Sequence, residues 1–186
     1  MTSLFDWLGE IVRAIFNIIP RFMIVKTTHA GVAWIRGSKI KEIKPGFRFW
    51  WPLWTDYMLY PTVRQTMNLP QQTLTTKDGI EVQVNIIVVY RISDIVDALT
   101  KQYDLEETIR DLCLASSKEI IMGSTYDEIL STYTFVDQKL TNEALENLDE
   151  FGVDVWRVRI TDFARTKVYT ISGMGQKSII PGEVIE

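Results

Sequence analysis

The side chains that most often carry out catalysis are scarce in this sequence. It contains one histidine, His29, and one cysteine, Cys113, among 186 residues. A histidine-based metal site or a Ser-His-Asp triad therefore has little material, and a single cysteine excludes an internal disulfide and fits a reducing compartment. We predict no catalytic residue, no metal site and no cofactor.

Two short segments carry residue types that are found in active or binding sites. Asp78 is a candidate catalytic or metal-binding carboxylate, but no second carboxylate stands at a suitable spacing. The segment Lys77-Asp78-Gly79 is typical of a hairpin turn, with Gly79 able to adopt a positive φ. The other segment, Gly173-Met174-Gly175, lacks the third glycine of a dinucleotide motif and the Gly-Lys-Ser/Thr of a P-loop. We interpret the first as a turn and the second as part of a tail.

Charge and aromatic content narrow the classes of partner. The 20 basic and 24 acidic residues give a net charge of −4 and a pI of about 5.2, which argues against nucleic acid as a partner. The mean hydropathy is +0.02 although the chain has six Trp, seven Tyr and eight Phe. At this length a chain buries roughly 70% of its unfolded surface, so its core needs no disulfide or metal. The aromatic excess suggests contact with lipid.

Residues 1–20 carry a helical pattern with a broad apolar face. The apolar side chains cover an arc of roughly 180°, and the polar ones fall on a narrow strip. Residues 4–19 would form a helix about 24 Å long, shorter than the ~30 Å hydrocarbon core, and Pro20 would end it. We predict an amphipathic helix lying in the membrane interface, with docking on its own domain and a re-entrant hairpin as alternatives. The predicted membrane-binding residues here are Leu4, Phe5, Trp7, Leu8, Ile11, Val12, Ile15, Phe16 and Ile19.

A second aromatic segment spans residues 46–61. It contains Trp50, Trp51 and Trp54, and prolines before, within and at the end of it disfavour a regular helix or a central strand. The segment is predicted to be a loop with extended ends. Tryptophan favours the headgroup zone of a bilayer, so these three residues are predicted to bind membrane. An aromatic mini-core or a protein contact is the alternative.

The middle of the chain alternates like β-strands and then changes to a helical period. Short runs at 23–26, 31–36 and 40–43 predict a small meander. Residues 80–92 predict the strongest strand, with one face apolar throughout and the other becoming apolar at Ile87 and Val89, where we expect burial on both faces.

Capping signals then mark four helices and a returning strand. Asp94 would cap a helix over 95–101, and acidic residues from 104 would open one that ends at Gly123. Thr125 and Glu128 have the spacing of a capping box, and 135–151 predicts a further helix. The strand over 153–163 needs a bulge near Trp156 and would lie beside the 80–92 strand. The predicted fold class is α+β.

Four blocks of this sequence resemble the SPFH or Band 7 superfamily, which includes stomatins, prohibitins and flotillins. They lie at residues 25–32, 43–52, 74–94 and 145–163. The resemblance implies a β-rich, membrane-proximal SPFH1-like subdomain over 23–75 and an α+β SPFH2-like subdomain over 76–165. It also implies rings or cages of many copies on a membrane, without catalytic activity.

The resemblance spans about residues 23–165 and is followed by a tail, residues 166–186. Members of the superfamily usually continue into a long coiled coil, but this tail contains no heptads, so we expect a short form. Its apolar runs could add strands to a neighbouring subunit's sheet. The predicted oligomerisation residues are Val168, Tyr169, Ile171, Ile179 and Ile180.

The predicted function is that of a membrane scaffold without enzymatic activity, which binds lipid and further copies of itself. We expect a monotopic protein on the cytoplasmic face that forms high-order homo-oligomers and organises a lipid and protein microdomain. The alternative is a truncated SPFH partner that joins or caps a longer SPFH assembly, or that regulates a membrane AAA+ protease. Membrane lipids and the chain itself are the expected partners, with another SPFH protein or a membrane protease as further candidates.

Overall fold

The computed structural model describes residues 9–10 and 19–166. Strands come first in this part of the chain, four helices follow, and a long strand returns, which confirms an α+β fold. The strands are β1 (Arg21–Val25), β2 (His29–Ile35), β3 (Lys39–Ile43), β4 (Gly46–Trp50), β5 (Thr55–Pro61), β6 (Gln65–Asn68), β7 (Gln72–Thr75), β8 (Glu81–Ile92) and β9 (Val153–Arg165). The helices are α1 (Ile95–Thr100), α2 (Leu105–Gly123), α3 (Tyr126–Ser131) and α4 (Tyr133–Asp149).

The first five strands form two small sheets. β1 pairs antiparallel with β4, and β2 lies between β3 and β5. The predicted meander of the first three strands is therefore wrong in its pairing, because local alternation defines a strand but not its partner. Gly31 is required in β2, since a Cβ there would lie 2.0 Å from the carbonyl oxygen of Met58 in β5.

The aromatic segment 46–61 forms strands at both ends of a short loop. β4 and β5 flank residues 51–54, so the prediction of a loop with extended ends is confirmed in outline. Pro52 lies in the loop and Pro61 ends β5, where neither interrupts a ladder from within.

The large sheet is centred on β8, which pairs with β6, β7 and β9. Its alternate residues from Val82 to Ile92 are all buried, as the pattern predicts. The other face is half-buried from Glu81 to Val89 and exposed at Arg91, so the expected full burial at Ile87 and Val89 is wrong. In β9, Arg157 lies opposite Val89 and Val155 opposite Tyr90, which leaves Trp156 as the extra residue of the predicted bulge.

The first three helices begin at the predicted caps, and the fourth begins at Tyr133, two residues before its predicted start. The helices pack on one face of the large sheet. The Asp94 carboxylate accepts hydrogen bonds from the backbone N–H groups of Val96 and Asp97 at 2.9 and 3.1 Å. The capping box of Thr125 and Glu128 is present at the start of α3. The main core lies between the sheet and the helices, and burial in it raises the pKa of the Cys113 thiol to about 12.

Strand pairing divides the described chain between Pro61 and Gln65, since β1 to β5 form the small sheets and β6 to β9 the large one. The predicted subdomain boundaries at 23, 75 and 165 remain predictions. The predicted helix over 4–19 lies outside the described residues except at positions 9, 10 and 19.

Candidate membrane-facing surface

The outer side of the β1–β4 sheet consists of four apolar side chains. Phe22 lies opposite Phe49, and Ile24 lies opposite Phe47. Because directly opposed residues and those two apart share one side of a sheet, all four project the same way. Their side chains are 65% (Phe22), 78% (Ile24), 65% (Phe47) and 56% (Phe49) exposed. We call this set the aromatic face.

The three phenylalanine rings of the aromatic face contact one another through Phe22. The rings of Phe22 and Phe47 stack with centroids 5.1 Å apart, and Phe22 meets the edge of Phe49 at 5.2 Å. The intervening residues Met23 and Val25 turn to the inner side, where Val25 is buried. The inner side of this small sheet thus supplies the local core, while the outer side exposes a contiguous apolar surface.

The loop between β4 and β5 exposes further apolar side chains. Trp51, Leu53 and Trp54 are all exposed, and the rings of Trp51 and Trp54 stack at a centroid distance of 6.4 Å. The guanidinium carbon of Arg36 lies 4.6 Å from the ring centroid of Trp54. Trp50 differs, because its ring is half-buried and packs against the edge of Tyr57 at 4.9 Å.

Of the other predicted membrane-binding and oligomerisation residues, Ile19 alone is among the described residues. Ile19 is exposed just before β1. Outside the described residues lie the predicted anchors Leu4, Phe5, Trp7, Leu8, Ile11, Val12, Ile15 and Phe16, and the predicted oligomerisation residues Val168, Tyr169, Ile171, Ile179 and Ile180.

The aromatic face was missed by sequence reasoning. The alternation of Phe22 with Ile24, and of Phe47 with Phe49, is visible in the sequence, but an apolar side of a strand normally predicts burial. Only the pairing of β1 with β4 brings the two sides together.

Local charge is a signal that the sequence does carry. Residues 19–61 hold seven Lys and Arg against two acidic residues, a net charge of 7 − 2 = +5, whereas the rest of the chain has 13 − 22 = −9. The aromatic face therefore belongs to the basic part of an acidic protein. An excess of basic residues in one segment favours anionic partners.

Asp78 has a structural role. Its carboxylate accepts hydrogen bonds from the Thr76 hydroxyl and from the backbone N–H of Tyr126, the latter at 3.2 Å, and so ties the β7–β8 turn to the start of α3. The hydrogen bond from Thr76 is the main reason that the pKa of Asp78 lies below its usual value. Gly79 has a φ of 78°, as the predicted turn requires. Across residues 9–10 and 19–166 no three His, Cys, Asp or Glu side chains are grouped to hold a metal ion.

None of the helices in residues 9–10 and 19–166 combines the length and the apolar character that a bilayer span requires.

Comparison with known proteins places most of the chain in one family. The family model described as SPFH domain / Band 7 family matches residues 23–178. An uncharacterised protein of Methanocaldococcus jannaschii is 30% identical over 154 residues, which are 83% of this chain and 75% of the relative. An uncharacterised protein of Archaeoglobus fulgidus is 28% identical over 84% of this chain and 63% of its own length.

A named relative comes from Pyrococcus horikoshii. This protein, a stomatin homolog, is 27% identical over 139 residues, which cover 75% of the chain but only 52% of the relative. The chain therefore spans about half to three quarters of the length of these curated relatives. The match over residues 23–178, together with the α+β order of its elements, shows that the chain belongs to the SPFH domain / Band 7 family.

Proposed function

We propose that this protein is a membrane-associated scaffold without enzymatic activity, and that its aromatic face and the Trp51 to Trp54 loop contact one leaflet. The observation that carries the proposal is the aromatic face itself. Four large apolar side chains, each more than half exposed, form a surface that soluble monomers rarely expose without a partner.

A bilayer interface suits this surface better than water does. Removing apolar area from water contributes about 25 cal/mol per Å², and indole rings favour the headgroup zone. The basic residues around the aromatic face add electrostatic attraction to anionic lipid of about 1 kcal/mol for each Lys or Arg that reaches the surface. Burial of apolar area and electrostatic attraction would therefore both favour binding of the segment 19–61 to the membrane.

Assembly would multiply the weak binding of one chain. Each further copy in an oligomer holds its neighbours' anchors near the bilayer, which raises their effective concentration. We include in the proposal the amphipathic helix over 1–20 as a second anchor, the tail residues 168–180 as oligomer contacts, and the cytoplasmic face as the location. Membership of the SPFH domain / Band 7 family supports a scaffold of this kind.

Flotation with lipid vesicles tests the membrane contact. Phe47→Asp places a charge in the aromatic face, whereas Phe135→Asp changes a similarly exposed phenylalanine on α4, in the other part of the fold. Phe47→Asp should reduce the floating fraction and Phe135→Asp should leave it unchanged. Equal flotation of the two variants would contradict the proposed contact.

A further inference from the structure

A second feature of the small sheets is a cleft of about 450 Å³ between them. Its walls are the inner side of β1–β4 and the facing side of the β3–β2–β5 sheet. The volume lies in the range of small-molecule sites, about 300–1,000 Å³. The cleft opens on the side of β1–β4 opposite the aromatic face. Phe49 of that face and Trp51 of the loop reach its edge and also line it.

The lining of the cleft is apolar and aromatic at its base. Met23, Ala33, Ile35 and Ile43 contribute from three strands, and Trp50 packs on Tyr57 at its side. Two facing sheets normally fill the space between them with interdigitating side chains. Here only Val25, Ala33 and Ile43 are buried as a cluster, with Met23 and Leu59 packed against them. The core between the two small sheets is therefore small, and the cleft is the space beside it that side chains leave unfilled.

The rim of the cleft is basic. Lys41, Lys44 and Arg48 line it together with a single acid, Glu42. Glu42 lies 3.6 Å from Lys44, and the Nε of Arg48 donates to the backbone oxygen of Lys44. Among the described residues, no carboxylate lies within 4.0 Å of a charged nitrogen of Lys41 or Arg48. Two cations are thus left at the mouth of an apolar cleft.

We propose that this cleft binds a single-chain anionic amphiphile, namely a long-chain fatty acid, with its hydrocarbon between the two sheets and its carboxylate at Lys41 and Arg48. The apolar base of the cleft would contact the hydrocarbon of the fatty acid, and the positive charges at the rim would bind its carboxylate. Binding of a soluble fatty acid does not depend on the membrane contact proposed above, so either proposal can fail while the other stands.

Tryptophan fluorescence of the full-length protein tests this site without membranes. The probe is a long-chain fatty acid brominated in mid-chain, added below the concentration at which it forms micelles. We expect saturable quenching with one molecule bound per chain. Trp50→Phe with Trp51→Phe should remove most of that quenching, because both indoles line the cleft, whereas Trp156→Phe, at an exposed position on β9, should leave it intact.

The head-group contact is tested in two ways. Lys41→Gln with Arg48→Gln should weaken binding about tenfold or more, because two charge-assisted interactions are lost, and Lys77→Gln with Lys118→Gln should not. On the wild-type protein, which avoids any folding defect of a variant, the brominated fatty alcohol of equal length should bind about tenfold or more weakly than the acid.

Several results would overturn the proposal. Absence of saturable quenching would do so. Equal binding of the acid and the alcohol would do so too, and would indicate that Lys41 only protects the edge strand β3 from pairing with other strands. A third is quenching only by vesicles of tail-brominated phospholipid, with no response to the soluble acid. That result would assign these tryptophans to the bilayer surface.

Discussion

The rings of Phe22 and Phe47 stack diagonally across the β1–β4 pair with their centroids 5.1 Å apart. The two residues are 25 positions apart in the sequence, and both are 65% exposed. Their contact joins the exposed side chains of two strands into one apolar surface. We propose that an anionic bilayer covers this surface, because exposed apolar patches of this size usually have a partner and the segment that carries it is basic.

Membrane binding should depend on ionic strength and on the basic residues near the aromatic face. Replacing Lys26 and Lys39 by glutamine removes two of the seven positive charges in residues 19–61. We expect partitioning onto anionic vesicles to fall about fivefold for each charge removed. Added salt should weaken wild-type binding in the same direction.

The matched control for these charges is the pair Lys77→Gln and Lys118→Gln, which lie in the part of the chain that carries the large sheet and its helices. Co-sedimentation with vesicles of graded anionic content measures both pairs. Equal losses for the two pairs would show that net charge alone governs binding and that the position of the basic residues does not.

The stability of the fold should depend strongly on the inner side of α4. Leu140 is completely buried, whereas Leu145 on the same helix is 37% exposed. We expect Leu140→Ala to lower the free energy of unfolding by about 2–5 kcal/mol, because it leaves a cavity. Leu145→Ala should cost under about 1 kcal/mol. Urea unfolding followed by circular dichroism provides both values, and a larger loss for Leu145→Ala would contradict the packing described.

The Asp78 carboxylate should make the stability of the protein depend on acid pH. Its pKa is lower in the folded protein, mainly because the Thr76 hydroxyl donates to it. A lowered pKa means that the contribution is complete above the unfolded value of about 3.9 and is lost as the pH falls through the folded value. Asp78→Asn should therefore destabilise the protein at neutral pH and match the wild type at sufficiently acid pH.

Urea midpoints across the acid range measure this effect. Glu146→Gln, an exposed acid on α4, serves as the control and should follow the wild-type pH dependence. A constant difference between Asp78→Asn and wild type at every pH would show that the side chain stabilises the turn without its charge.

Local signals in the sequence were sufficient for most of the large sheet and the helices. The alternation in β8, the turn at Gly79, the capping box at Thr125 and the bulge at Trp156 each depend on residues close together in the chain. These features depend on backbone conformation and on hydrogen bonds between residues close in the chain, so they can be predicted from short stretches of sequence.

Long-range pairing was the part that local signals could not predict. β1 looks like a neighbour of β2 in sequence, yet it pairs with β4 across the intervening hairpin. Three tryptophans close together in the sequence are a visible signal, whereas Ile24 belongs to a predicted strand over 23–26 and Phe22 lies just before it. Their exposure follows from which side of β1–β4 supplies the core, and that is set by the tertiary fold.

Labelling at Ile24 provides the most direct measurement of the central claim, that the aromatic face lies in the bilayer interface. Ile24→Cys and Leu145→Cys place a thiol on the aromatic face and on α4, while the native Cys113 is buried with its thiol pKa raised to about 12 and should not react. Each variant is labelled with an environment-sensitive fluorophore and mixed with anionic vesicles. We expect a blue shift and protection from an aqueous quencher at position 24 and neither at position 145. An unchanged, fully quenchable label at position 24 on vesicle-bound protein would contradict it.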